Sequence, residues 1–293
     1  LTYMTKQLFG SIEAGGTKFV VAVGDSELNI IDKAQFPTTT PAETLAKCVD
    51  FFTTHPVSAL GIGSFGPIDI DQKSATYGQV LATPKPGWAG ADVVGTLKAA
   101  LNVPIAFTTD VNASAYGEYI AGSGKDVDSL VYFTIGTGIG GGAIQDGKFI
   151  GGTGHAEMGH ALCVPRPDDD YQGTCPFHGR HCFEGMAAGP SLEGRTGIPG
   201  QDLPRDNKAF EFISDYIAQM LFNTYVNLRP AKIILGGSVL SDAELPMVRD
   251  YFEKYNNGYV ATPDLSELIV TSKMPNNSSA TVGDFALAKQ VLG

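Results

Sequence analysis

Residues 8–23 are β-type, largely apolar sequence on either side of Gly15-Gly16, which predicts two strands joined by a tight glycine turn. Asp25-Ser26-Glu27 then turns the chain into a third strand at 28–36. From Pro41-Ala42-Glu43 to about Thr54, the apolar residues Leu45, Cys48, Val49 and Phe52 recur at helical spacing. A short apolar strand at 59–64 runs into Gly63-Ser64-Phe65-Gly66-Pro67, a stretch too rich in glycine and proline for regular structure. Residues 92–101 read as a helix, 105–108 as a buried strand and 112–121 as another helix, with Asp110 and Asn112 placed to cap its start.

The pattern then restarts. Residues 130–135, 140–145 and 148–150 repeat the opening strands, with Asp146-Gly147 as a hairpin turn. Residues 155–184 show little period and hold four of the five histidines. Residues 209–227 form an amphipathic helix whose Phe210, Ile213, Ile217, Leu221 and Tyr225 are read either as core or as part of a dimer face. A strand at 232–235 enters Gly236-Gly237-Ser238, followed by a helix at 244–255, a strand at 268–271 and a closing helix at 282–291. Strands and helices alternate in each half, so an α/β fold of two domains around a cleft is expected, built by duplication. The first domain is expected over 1–117, with a closing helix at about 280–293 packing back on it. The second is expected over 118–279, carrying the loop 155–184.

Composition narrows the function. The chain has 293 residues, 43% hydrophobic and 17% charged, an ordinary balance for a globular protein. Its 31 acids against 20 bases give a net charge of −11, which argues against nucleic acid or an anionic membrane surface as the main partner. A local set of donors with a metal ion still suffices to bind ATP. No apolar run reaches about 18 residues, so no membrane span is expected. Residues 1–6 hold no signal-type apolar stretch, Met4 is a candidate start, and the cytoplasm is the expected location. Four cysteines do not make a disulfide scaffold in a chain this long, but Cys163, Cys175 and Cys182 lie among histidines, which points to a metal.

Two glycine turns stand at equivalent places in the halves: Glu13-Ala14-Gly15-Gly16-Thr17-Lys18, and Thr134-Ile135-Gly136-Thr137-Gly138-Ile139-Gly140-Gly141-Gly142. Without β-carbons, backbone N–H groups can close on an anion, and the threonine hydroxyls add donors. A phosphate held between two related domains is the reading this pairing supports.

Those turns, together with 63–67, Thr109-Asp110-Val111-Asn112-Ala113, Glu157-Met158-Gly159-His160, Cys182-Phe183-Glu184-Gly185 and Gly236-Gly237, resemble the ROK family of sugar kinases in order and spacing over nearly the whole chain. Glu13, where many members have Asp, and Thr83-Pro84-Lys85-Pro86-Gly87-Trp88 resemble its bacterial, zinc-containing fructokinase branch. The resemblance implies a duplicated ribonuclease-H-like fold of the actin/hexokinase type, and ATP-dependent phosphorylation of D-fructose to fructose 6-phosphate. It implies Asp110 as the general base, positioned at a strand end to take the proton of the attacking hydroxyl. A cap for the following helix is the plainer role for Asp110, and the two are compatible. Gly15, Gly16, Thr17, Lys18, Gly136, Thr137 and Gly138 are then expected on the ATP phosphates, and Gly236 and Gly237 against adenosine. Glu13 is expected to help hold Mg²⁺, directly or through water. Lys18 neutralises developing charge or is a solvated strand residue. The sugar contacts implied are Gly66, Pro67, Trp88, Asn112, Asp110, Glu157, His160 and Glu184, with Trp88 read equally as pocket wall or core. A homodimer is implied as well.

His160, Cys175, His178 and Cys182 give the series His-x14-Cys-x2-His-x3-Cys, thiolates and imidazoles that suit a structural, tetrahedral Zn²⁺. The family's middle cysteine is absent, and His178 lies one residue beyond its place, so His181, Cys163 and His155 are rivals for the third ligand. Asp168-Asp169-Asp170 is expected to be a solvated loop. Two other readings accompany fructose phosphorylation. One is the same chemistry on mannose, glucose or an N-acetylhexosamine. The other is a sugar-sensing repressor or binding module. The repressor requires a helix-turn-helix before the first glycine turn, and the binding module requires loss of Asp110 or the turns.

Overall fold

Two five-stranded sheets share one topology. The first holds β1 (Phe9–Ala14), β2 (Lys18–Gly24), β3 (Ile30–Pro37), β4 (Ala59–Ser64) and β5 (Ile105–Thr109), in the order β3-β2-β1-β4-β5. The second holds β6 (Ser129–Ile135), β7 (Ile139–Gln145), β8 (Lys148–Phe149), β9 (Lys232–Gly236) and β10 (Ile269–Thr271), in the order β10-β9-β6-β7-β8. In each, the first strand pairs antiparallel with the second and parallel with the fourth, so the duplication legible in the glycine turns extends to strand order. This computed structural model describes residues 7–293; the candidate start at Met4 lies outside the described residues.

The helices are α1 (Pro41–Thr54), α2 (Val93–Leu101), α3 (Asp110–Ala121), α4 (Phe183–Ala187), α5 (Pro190–Thr196), α6 (Lys208–Leu228), α7 (Leu245–Asn256), α8 (Leu265–Leu268) and α9 (Ser279–Leu292). The chain parts into two compact units. One runs to Lys125 and includes Phe149–His155 and Met274–Gly293; the other is Asp126–Lys148 with Ala156–Lys273. Because α3 continues through the expected boundary at 117, the division falls beyond the helix, ahead of β6.

In the first unit, Thr40 caps α1 and Asp92 caps α2. Leu45, Cys48 and Phe52 pack with Ile12, Phe19, Leu60, Ile62 and Trp88 on one sheet face. Each such large apolar side chain contributes roughly 1.5–3 kcal/mol on full burial. α3 and α9 pack together and against the sheet. A β-carbon at Gly117 would overlap the Ser279 carbonyl oxygen, and one at Gly283 that of Ala113, so two glycines let these helices meet backbone to backbone. The cap of α3 differs from expectation. Thr109, the last residue of β5, accepts from Asn112 N–H at 3.1 Å, and Asp110 is the first helical residue.

In the second unit, Phe210, Ile213, Ile217, Leu221 and Tyr225 of α6 lie in the core. Asp169 is no solvated residue. It is buried, and accepts from Arg195 Nη2 at 2.8 Å and from the Tyr216 hydroxyl at 2.9 Å. No helix among the described residues is long and apolar enough to cross a membrane.

Candidate active site

β1 ends at Ala14 and β2 starts at Lys18, so Gly15-Gly16-Thr17 is the whole first turn. Gly15 N–H donates to the Lys18 carbonyl oxygen at 3.0 Å. A β-carbon at Gly16 would meet no atom within 4 Å, so the turn is open on that side, as an anion cradle requires. The strand register places Glu13 opposite Val20. Glu13, Gly15, Gly16, Thr17, Lys18 and Asp110 all line one cavity of about 960 Å³, closed on another side by 274–278. Lys18 reaches Gln35 Oε1 at 3.5 Å and stays exposed on the cavity rim.

Three carboxyl groups gather here. Asp110 stands exposed at the end of β5, with Oδ1 accepting from Val111 N–H at 2.9 Å. Glu13 Oε2 accepts from the Thr281 hydroxyl at 2.9 Å. Burial pushes the Glu13 carboxyl above its ordinary value, and Asp110 adds to this while Thr281 opposes it. Asp284 is fully buried; Oδ2 accepts from the Ser11 hydroxyl at 2.8 Å, and Oδ1 is without a hydrogen-bond partner. Burial, then Glu13, drives its carboxyl well above the usual range, with a smaller push from Asp110. Sequence reasoning missed Asp284. The available signal was an acid in a closing helix whose neighbours Val282, Phe285 and Ala286 are apolar.

Around these groups, Asn112 is buried and donates to Thr108 Oγ1 at 3.0 Å. The Gly66-Pro67 turn follows β4, and its peptide is cis. His155 belongs to this turn and not to the Cys/His cluster: Nε2 accepts from Ile68 N–H at 3.2 Å, and the ring lies against Gly66. Trp88 is core and not an exposed wall. It is 0% exposed, donates Nε1–H to the Thr39 carbonyl oxygen at 2.9 Å, and packs on Phe19 and Phe65. Its link to the Gly66-Pro67 turn runs through Phe65.

In the second unit, Gly136-Thr137-Gly138 joins β6 to β7, with Gly136 N–H donating to the Gly138 carbonyl oxygen at 2.9 Å. A β-carbon on Gly136 would again meet nothing within 4 Å. Packing demands both Gly236 and Gly237. A β-carbon on the first would overlap the Tyr132 hydroxyl, and the second has φ 89° beside Ile135. Glu157 is exposed, just ahead of the short turn Met158–His160. Glu184, in the first turn of α4, accepts from Ile139 N–H through Oε2 at 2.9 Å, and its Oε1 stands 3.5 Å from His160 Nε2.

The other nitrogen of that ring faces sulfur. His160 Nδ1 lies 3.8 Å from Cys175 Sγ and 3.9 Å from Cys182 Sγ, and His178 Nδ1 lies 3.7 Å from Cys175 Sγ. One donor atom from each of the four residues falls within 4.8 Å of the others. Tetrahedral Zn–S and Zn–N bonds of about 2.3 and 2.1 Å put neighbouring S and N atoms about 3.6 Å apart, so the donor set fits a zinc ion. Burial foremost holds the Cys182 thiol up at about 11, with Cys175 adding to it, so ligation of a metal by Cys182 would displace a proton. His178, not His181 or Cys163, completes the set; Cys163 Sγ instead faces the Arg180 carbonyl oxygen at 3.5 Å.

Comparison with known proteins agrees with this architecture. The ROK family model matches residues 9–291. A fructokinase of Streptococcus mutans is 52% identical over 291 residues, covering 97% of this chain and 98% of that protein. A fructokinase of Lactococcus lactis subsp. cremoris is 50% identical over 283 residues, covering 96% of each. The crystal structure of a ROK hexokinase from Thermus thermophilus superimposes with a TM-score of 0.79 at 22% identity, covering 97% of this chain and 98% of that one, a likeness of fold.

Proposed function

The chain belongs to the ROK family, and from that footing we propose that it transfers the γ-phosphoryl group of ATP to D-fructose, giving fructose 6-phosphate. The observation that carries the catalytic assignment is Asp110, exposed at the start of α3 on the same cavity wall as the open Gly15-Gly16 turn and Glu13.

Asp110 accepts the proton of the fructose 6-hydroxyl as that oxygen attacks the γ-phosphorus. In such transfers the protein's task is positioning and charge stabilisation, so a carboxylate fixed at a strand–helix junction suits the role. Thr17, Lys18 and the backbone of Gly15 and Gly16 hold phosphate oxygens from the first unit. Thr137 and the backbone of Gly136 and Gly138 are assigned to phosphate as well. Adenosine lies against Gly236 and Gly237. We assign Asp110, Asn112 and the Gly66-Pro67 turn to fructose, and name Glu157, His160 and Glu184 as further sugar contacts.

Glu13 is the residue that would hold Mg²⁺, directly or through water, beside Asp110 on the same cavity. The ion would neutralise phosphate charge during transfer. Zinc at His160, Cys175, His178 and Cys182 is structural. It staples the irregular 155–184 loop and orients His160. A homodimer in the cytoplasm is the assembly and location we assign.

ADP release with Mg·ATP across fructose, mannose, glucose and N-acetylglucosamine tests the reading. Clear preference for fructose is expected. Preference for another sugar would keep the phosphoryl chemistry and remove the fructose assignment, and absence of turnover with every sugar would remove the kinase.

A further inference from the structure

Helix α4 and its flanks link the metal cluster to the second glycine turn. The helix is capped by Cys182, whose Sγ accepts from Gly185 N–H at 3.4 Å and is one of the cluster's donors. Its first turn carries Glu184, whose Oε1 stands 3.5 Å from the cluster residue His160. The other oxygen accepts at 2.9 Å from the N–H of Ile139, the residue that follows Gly136-Thr137-Gly138. Gly138 is so near that a β-carbon there would lie 2.8 Å from the same oxygen. Just beyond the helix, Gly189 N–H donates to the Gly136 carbonyl oxygen at 2.7 Å. One short segment, 182–189, thus grips the turn at both ends.

We propose that Glu184 is a positioning residue for the phosphate turn: it fixes the Gly136-Thr137-Gly138 backbone for nucleotide through Ile139 N–H, and so ties ATP binding to the metal cluster. The proposal rests on the kinase reading above. Glycine-rich backbone has the most freedom to lose on ordering, and N–H groups serve an anion best when aimed beforehand. An anchor that holds the turn in place lowers that cost. A carboxylate has about four acceptor positions, so the bond to Ile139 leaves others for a sugar hydroxyl.

Calorimetric binding of Mg·AMPPNP without sugar separates this role from any sugar contact. Glu184→Gln keeps an acceptor at the same reach, and Glu184→Met does not. Loss of a charged-acceptor hydrogen bond corresponds to roughly tenfold, so Glu184→Met should weaken AMPPNP about that much. Glu184→Gln should stay within about threefold of wild type, although both variants weaken fructose. Equal AMPPNP affinity in wild type and Glu184→Met overturns this assignment alone. No AMPPNP binding by wild type overturns the kinase reading and this assignment with it. Should Glu184→Met fail to fold, amide exchange in the ligand-free wild type decides: a protected Ile139 N–H is expected, and fast exchange there overturns the proposal.

Discussion

Thr281 donates its hydroxyl to Glu13 Oε2 at 2.9 Å, joining the closing helix to the strand that enters the first glycine turn across 268 positions of sequence. The acid proposed to hold Mg²⁺ is therefore oriented by α9. Thr281→Val keeps the shape and removes the donor. A hydrogen bond to a charged group contributes about 1.5–3 kcal/mol, so kcat/KM for Mg·ATP should fall by at least about tenfold while the fructose KM holds. Steady-state kinetics with each substrate varied in turn checks this; an unchanged Mg·ATP profile would show that Glu13 needs no such support.

Asp284 should make stability depend on pH. Its folded carboxyl lies well above the ordinary value because of burial, so the folded state binds the proton more tightly than the unfolded chain does. That contribution is complete below the unfolded value of about 3.9 and is lost as pH rises toward the folded one. Asn does not ionise. The melting temperature of Asp284→Asn relative to wild type should therefore climb as pH rises above about 4. A difference that stays flat with pH contradicts the assignment of a raised Asp284.

The proposed zinc predicts about one equivalent per chain and an affinity that rises with pH, because the Cys182 thiol, held up at about 11 chiefly by burial, must lose its proton to ligate. Competition against a chromophoric chelator at several pH values measures it. Cys175→Ser should lower both melting temperature and zinc content. Less than about half an equivalent in wild type, or no pH dependence, would remove the metal.

Much of this was legible in the sequence because it is local or repeated. A glycine turn between strands is a short-range pattern, and its recurrence predicts the duplicated sheet. The Cys/His spacing likewise singles out His160, Cys175, His178 and Cys182, whose donor atoms the fold brings within 4.8 Å of one another. What sequence could not separate depends on contacts far along the chain. Thr109 and Asp110 are both good capping residues, and the strand end decides between them. A lone tryptophan is equally wall or core until Phe19 and Phe65 close on it. In Asp168-Asp169-Asp170 the middle acid is buried only because Arg195 and Tyr216 reach it. The reach of Glu184 to Ile139, 45 positions away, and the burial of Asp284 belong to the same class.

Asp110 is the proposed base, and Asp110→Asn tests that role most directly through kcat for fructose phosphorylation, with folding and fructose binding measured on the same sample. General-base catalysis contributes typically 10²–10⁴-fold, so kcat should fall by about that factor while fructose affinity stays near wild type. A folded Asp110→Asn enzyme with near-normal turnover would contradict it.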